Sequence, residues 1–390
     1  LKTKKYLQTL LAFVICVFFS TSAFGFSFLD PFIDPQDGAL DTSHWLVDRK
    51  GFLPIPLIIT EPAVGFGLGA GLIFFHESKE SEEEKPEEKA DDDGMLRLPP
   101  SISAVFGGYT ENDSWLVGGG HFGSWHQDRT RYIGGIGAAS LNLKFYGPSE
   151  SAVSDSTGLK FTIDAFFLLQ EILFRIKDTK FFVGGRYLFV GTDNRFRIGE
   201  TIPGLPPVQL ESDDAGLGLV ANYDSRDNLF SPNLGYHISL NAIRYDDAFG
   251  GDFDYNYLKL SGLSWWKLFP NIVLGTRVDG RFTDGDIPFY AVPFIQLRGI
   301  PALRYQGEKV IVGEIEPRWD ITYRWSLVGF LGSGWASDSL DGIFGTKARV
   351  AYGGGFRYLL ARRLGMRAGL DVARGPEETA VYLTVGSDWR

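Results

Sequence analysis

The chain of 390 residues carries a formal net charge of −10, 48 glycines, 15% aromatic residues and a single cysteine, Cys16. The acidic balance disfavours nucleic acid as a partner, and one cysteine in a segment expected to be removed excludes disulfides and thiolate metal sites from the mature protein. Beyond the first residues no apolar run approaches the ~18 needed for a membrane helix; the mean hydropathy of −0.04, with abundant glycine and aromatic residues, points to strands instead.

In chain order, Lys2, Lys4 and Lys5 precede an apolar core from Leu10 to Phe19, and small residues lead to Ala23-Phe24-Gly25. Residues 1–25 are therefore expected to be an export signal peptide, since the apolar run is short for a bilayer span. Cys16 lacks the preceding small residues of a lipoprotein site. Residues 26–52 are read as a short periplasmic segment and 53–390 as one domain. Without the three lysines the net charge moves from −10 to −13. The stretch from Glu77 to Asp93 holds ten acids and three lysines, so about half of that acidity sits in an acidic low-complexity loop, 77–100. Nothing there fixes carboxylates in a metal-binding geometry.

From residue 53 onward, apolar and polar positions alternate with period two. Val64, Phe66, Leu68, Ala70 and Leu72 alternate with Gly65, Gly67, Gly69 and Gly71, a glycine run without the GxGxxG spacing of a phosphate loop. Ile272, Leu274 and Val278 oppose Arg277, Asp279 and Arg281, and the same division recurs to the end of the chain. The expected strands are 53–60, 64–77, 101–110, 114–125, 130–146, 159–174, 180–191, 214–226, 234–246, 253–268, 271–284, 309–322, 325–337, 348–361, 366–374 and 379–389. Runs of ten residues or more, with aromatics near their ends, fit a transmembrane β-barrel better than a soluble sandwich. The fold expected is all-β, a sixteen-stranded antiparallel transmembrane β-barrel, with both termini in the periplasm. Short turns such as His126–Arg129 and Tyr323–Arg324 fall on the periplasmic side and long connections such as 192–213 and 285–308 on the outer side. The acidic connection breaks this rule, so either it is a true insertion or the first hairpin is misplaced.

Four features carry chemistry. Pro54 and Pro56 share one side of the first strand and delete two backbone donors there; the alternatives are an edge facing the last strand, or a strand that starts after them. Tyr223-Asp224-Ser225-Arg226-Asp227-Asn228, followed by Pro232 and Gly235, suits a tight turn. Leu297-Arg298-Gly299-Ile300 lies in the long connection 285–308, ahead of a strand with Glu314, Glu316, Arg318 and Asp320 on one face. Such charges must face the lumen, where Arg298 on an inward-folded loop can bind a carboxylate bidentately. Finally, Val381, Leu383, Val385 and Trp389 are expected on one face of the last strand.

In this order and spacing, the turn, the Leu-Arg-Gly-Ile loop and Glu316-Pro317-Arg318 make residues 53–390 resemble the BamA/TamA outer-membrane assembly superfamily (bacterial surface antigen family). The resemblance implies a sixteen-stranded barrel whose arginine loop locks to acids on neighbouring strands, with a seam between the first and last strands that opens sideways. Two departures stand out. Where the family reads F-x-D-x-G, this chain has Phe330-Leu331-Gly332-Ser333-Gly334, so the lock falls to Glu316 with Glu314 in reserve. Residues 26–51 are too few for a periplasmic POTRA domain.

The function expected is non-enzymatic insertion or translocation of proteins, or of lipids, at the bacterial outer membrane. Arg298, Gly299, Glu316 and Glu314 form the lock, and Pro54, Pro56 and Trp389 lie at the seam. The partners expected are outer-membrane lipid and client outer-membrane or secreted proteins, with no cofactor and no metal, and the barrel is expected to be a monomer. The rival reading is a passive diffusion channel or structural barrel of the same fold. A hydrolase is a third: His44, His76, His121, His126 and His237 show no paired serine and acid by spacing.

Overall fold

A computed structural model describes residues 32–43, 45–46, 52–76, 101–145, 159–197, 208–387 and 389. The expected signal peptide and the acidic stretch 77–100 lie outside the described residues. Among the described residues sixteen strands follow one another: β1 (Phe52–Ile59), β2 (Gly67–His76), β3 (Ser101–Thr110), β4 (Trp115–Trp125), β5 (Thr130–Phe145), β6 (Leu159–Arg175), β7 (Phe181–Phe196) and β8 (Val208–Asp224), then β9 (Gly235–Tyr245), β10 (Tyr255–Phe269), β11 (Ile272–Gly285), β12 (Lys309–Asp320), β13 (Trp325–Ser337), β14 (Arg349–Ala361), β15 (Met366–Arg374) and β16 (Thr379–Val385). Each pairs antiparallel with the next, in chain order, in one sheet that curls into a nearly closed barrel. Among the described residues no ladder joins β16 to β1.

The alternation sorts side chains to two faces. Leu68, Val117, Ile136, Leu219, Val278 and Ile315 point outward and stay exposed, as a lipid-facing surface requires. Aromatics gather near strand ends on that face, where Trp266 donates its indole N–H to the Tyr236 hydroxyl over 3.1 Å. Inward, charges occur in pairs: Arg186 with Glu171, Arg277 with Asp279, Arg357 with Asp371. A charged side chain facing hydrocarbon is costly, so the lumen is the side that accepts them.

The first hairpin pairs as expected, Phe52 to Ile59 against Phe74 to Gly67. β2 thus ends, and β3 begins, at the same barrel end as the short turns 126–129, 176–180, 270–271, 321–324 and 362–365. β7 and β8 reach further than expected, to Phe196 and from Val208. Their tips, with Thr192, Asp193, Asn194 and Arg195 against Ser212, Glu211, Leu210 and Gln209, are mostly polar on both faces and leave little alternation to read. The last strand is shorter than expected. It stops at Val385, Gly386 takes a left-handed φ of 83°, and Trp389 leaves the sheet for the lumen.

At the short-turn end, residues 32–43 with Trp45 and Leu46 form an arm docked against the turns 321–324 and 362–365. The connection 225–234 also folds across this mouth. Asn228 Nδ2 reaches the Leu364 carbonyl over 2.9 Å, and the Arg367 amide donates to Ser231 Oγ over 3.2 Å.

Candidate functional site

The segment between β11 and β12 turns back into the barrel. Ile295, Leu297, Ile300 and Tyr305 are buried with Val310, Val312, Ala336 and Ala351 of the inner wall. Gly332 and Gly334 make the room, since a Cβ on either would come within 2.6 Å of Leu297 Cδ2 or 2.5 Å of Ile295 Cγ2. Arg281 holds the approach, donating to the Phe294 carbonyl (3.2 Å) and Gln296 Oε1 (2.6 Å).

These contacts place Arg298, 7% exposed, among three carboxylates. Its Nη2 lies 2.5 Å from Glu314 Oε1 and 2.7 Å from Glu316 Oε2, and its Nη1 lies 2.8 Å from Asp371 Oδ2. The guanidinium also stacks on Phe330, 3.6 Å from the ring centroid. Asp371 is shared, taking bonds of 2.5 and 2.9 Å from Arg357. Glu314 Oε2 faces Arg277 at 3.4 Å and accepts the Trp389 indole N–H at 3.1 Å. Buried carboxylates survive when each is paired and hydrogen-bonded. Every acid around Arg298 meets that condition.

The structure brings the expected Arg298, Gly299, Glu314 and Glu316 together as one group, with both glutamates engaged rather than one in reserve. Asp371 was missed. It supplies, from β15, the acceptor that Gly332 does not provide on β13; the available signal was a lone acid on the inward parity of its strand, the parity of Arg367. Gly299 has φ 87°, and a Cβ there would come within 2.7 Å of the Gly375 amide nitrogen, so the motif's glycine is set by both conformation and close approach.

The loop touches both flanks of the seam. The Gly299 amide donates to the hydroxyl of Tyr382 on β16 over 2.8 Å, and Glu61, in the connection from β1 to β2, accepts from the Ala302 amide over 3.0 Å. Pro54 and Pro56 point their side chains outward beside this seam. Phe52, of the same parity, gives its carbonyl to the Trp45 indole over 2.9 Å, so this parity turns its backbone groups away from β2. The prolines thus take donors from the edge that faces β16. Trp389 is not on the seam face. It is buried in the lumen with Leu263, Trp265 and Val273, across the mouth from β16.

The motif beginning at Tyr223 is turn chemistry. Asp227 Oδ1 accepts from the amides of Asn233 and Leu234, Asn228 Oδ1 accepts from those of Phe230 and Ser231, and Gly235 has φ 113°. On the outward face, a grouping invisible in sequence appears. Ser103 Oγ lies 2.8 Å from both His76 Nε2 and His121 Nδ1. Among the described residues neither imidazole is hydrogen-bonded to a carboxylate, so no acid orients a base there.

This geometry defines, among the described residues, a sixteen-stranded barrel with an arginine loop locked in its lumen and an unladdered seam. No family model and no curated protein matches the chain. Among solved structures it is similar to BamA from Haemophilus ducreyi lacking POTRA domains 1–3, at 12% identity and a TM-score of 0.53, over 87% of this chain and 70% of that one. It is similar also to CdiB from Acinetobacter baumannii (8% identity, TM-score 0.51, 86% of this chain) and to CdiB from Escherichia coli (14%, 0.54, 85%). The chain spans 60% and 61% of the length of these two CdiB chains. It shares its barrel fold with these BamA and CdiB chains, the fold that the resemblance implied.

Proposed function

We propose that the protein is a non-enzymatic bacterial outer-membrane barrel, its short-turn end in the periplasm, that takes part in inserting or translocating proteins. The observation that carries this reading is the position of the locked loop. Arg298 is held by three strand carboxylates while Gly299 and Ala302 bond to opposite flanks of a seam without a ladder. Releasing Arg298 frees the loop from both flanks at once, which couples its state to the seam. Outer-membrane lipid is the surrounding partner, client polypeptide the transient one, and the barrel acts as a monomer without metal or cofactor.

The test is the folding of a client barrel into liposomes containing the protein. Acceleration by the wild type and its loss in Arg298→Ala supports the reading; no acceleration by the wild type overturns it.

A further inference from the structure

The arm that precedes β1 is held by an ion cluster of unusual density. Arg324, in the turn between β12 and β13, points its three guanidinium nitrogens at three aspartates of the arm: Nη2 to Asp34, Nε to Asp37 and Nη1 to Asp41, each over 2.6 Å. Arg362, in the turn between β14 and β15, adds a 2.7 Å contact to Asp34. Backbone contacts fix the register. The Thr42 amide donates to the Leu360 carbonyl (2.8 Å), the Arg362 amide to Asp41 Oδ2 and the Arg363 amide to Ser43 Oγ (both 3.0 Å). An arm tied only by surface charge would be screened and weak. Here Asp34, Asp41 and Arg324 are all buried.

What the clasp positions is Leu46, 1% exposed. Leu46 packs in an apolar cluster with Leu364 and Met366, and Ile55, Ile73 and Val385 pack against the same cluster. Ile55 and Ile73 belong to β1 and β2; Met366 and Val385 belong to β15 and β16. The cluster therefore reaches both flanks of the barrel's unladdered seam. Burying Leu46 in a cluster that both flanks pack against supplies there a cohesion that backbone hydrogen bonds do not. The Trp45 indole, bonded to the Phe52 carbonyl at the start of β1, ties the arm to the same edge.

We propose that this arm is an internal staple of the seam: the aspartate clasp on Arg324 and Arg362 anchors it to the β12–β15 wall, and Leu46 holds β1 to β16 at the short-turn end. Opening the seam at that end requires the Leu46 side chain to leave the cluster. The staple does not depend on client handling, since it concerns only the contacts between the arm and the two edge strands.

The experiment is a spin-label distance measurement across the seam in lipid-reconstituted full-length protein, with Pro56→Cys on β1 and Leu383→Cys on β16 in a Cys16→Ser background. The unmodified arm is expected to give one narrow distance distribution. Leu46→Ala, which keeps the clasp, and the triple variant Asp34→Asn, Asp37→Asn, Asp41→Asn, which releases it, are each expected to add a longer-distance population absent from the parent. Heat-modifiable gel migration certifies that each barrel is folded, and Leu46→Ala decides the matter should the triple variant not fold. An unchanged distribution in a folded Leu46→Ala protein overturns the staple. Client-folding activity is read separately, so its absence leaves this result standing.

Discussion

Asp371 is the residue on which the lock turns. Its side chain is fully buried and receives both Arg298 and Arg357, whereas the side chain of Glu316 retains 18% exposure and can recover water. Breaking a buried charge pair by removing one partner costs about 3–5 kcal/mol, because the remaining charge is left without compensation. Asp371→Asn is therefore expected to lower the urea midpoint of the refolded barrel clearly more than Glu316→Gln; equal losses would mean that the carboxylate on β15 is not the centre of the network. Trp389 offers a graded case. Trp389→Phe keeps the apolar contact with Trp265 and Val273 but removes the indole donor to Glu314, a loss of about 1–3 kcal/mol. Trp389→Ala also empties the site and should cost about 3–5 kcal/mol. The reverse order in unfolding experiments would place Trp389 outside the lumen. Neither role was legible in the sequence. Asp371 is one acid on a strand whose facing loop is more than seventy positions away, and Trp389 continues the alternation of Val381, Leu383 and Val385 until the left-handed turn at Gly386 ends it.

Strands were legible where the bilayer dictates them. A wall with lipid on one side and water on the other imposes period two, and sixteen such runs could be counted. Where a strand runs on beyond its apolar band, as in β7 beyond Gly191, both faces are largely polar and the signal vanishes. The arm was illegible for a different reason: the spacing of Asp34, Asp37 and Asp41 acquires meaning only when two turns far along the chain place Arg324 and Arg362 at the same mouth. That clasp has a pH dependence of defined sign. Burial opposes ionisation of Asp34, yet hydrogen bonds from Arg362, the Gln36 amide and Arg324 hold its carboxyl below the ordinary value of 3.8, and the bond from Arg324 does the same for Asp37. A carboxylate with a depressed value in the docked state contributes stability that is present above its free value and lost as pH falls through the docked one. The arm should therefore stay docked at pH 5 and release only below about pH 4, read by anisotropy of a probe at Gln36→Cys; release at pH 5 to 6 would contradict the assignment. Gly332 makes a second prediction for an element. Placing the acid of the F-x-D-x-G pattern there, Gly332→Asp, sets a new Cβ 2.6 Å from Leu297 Cδ2 and 3.3 Å from Glu314 Cγ, and adds a carboxylate without a new cation. It should destabilise the barrel more than Gly332→Ala, the opposite of what the family pattern alone suggests.

At the scale of the molecule, sixteen strands enclose enough space for an aqueous channel, as porins of similar strand number show. This barrel spends that space on its own segments. Ile295, Leu297 and Ile300 of the loop lie against the inner wall, Trp389 crosses to β10 and β11, and the connection 225–234 reaches Leu364 and Arg367 across the short-turn mouth. Each is tethered by different partners: the loop by Arg298, the tail by Glu314, the connection by Asn228. Tethers without shared partners release independently, except that the loop and tail meet at Glu314. In planar bilayers the wild type should pass much less current than an open barrel of this strand number. Arg298→Ala, which leaves three acids without their shared cation, should raise conductance by freeing the loop. Adding Trp389→Ala to Arg298→Ala should raise it less than the separate effects imply, because the two share Glu314. Asn228→Ala, acting at an unshared tether, should add its full effect. A large ohmic conductance in the wild type, unchanged by Arg298→Ala, would instead identify a passive channel, with the lock a structural brace and nothing more.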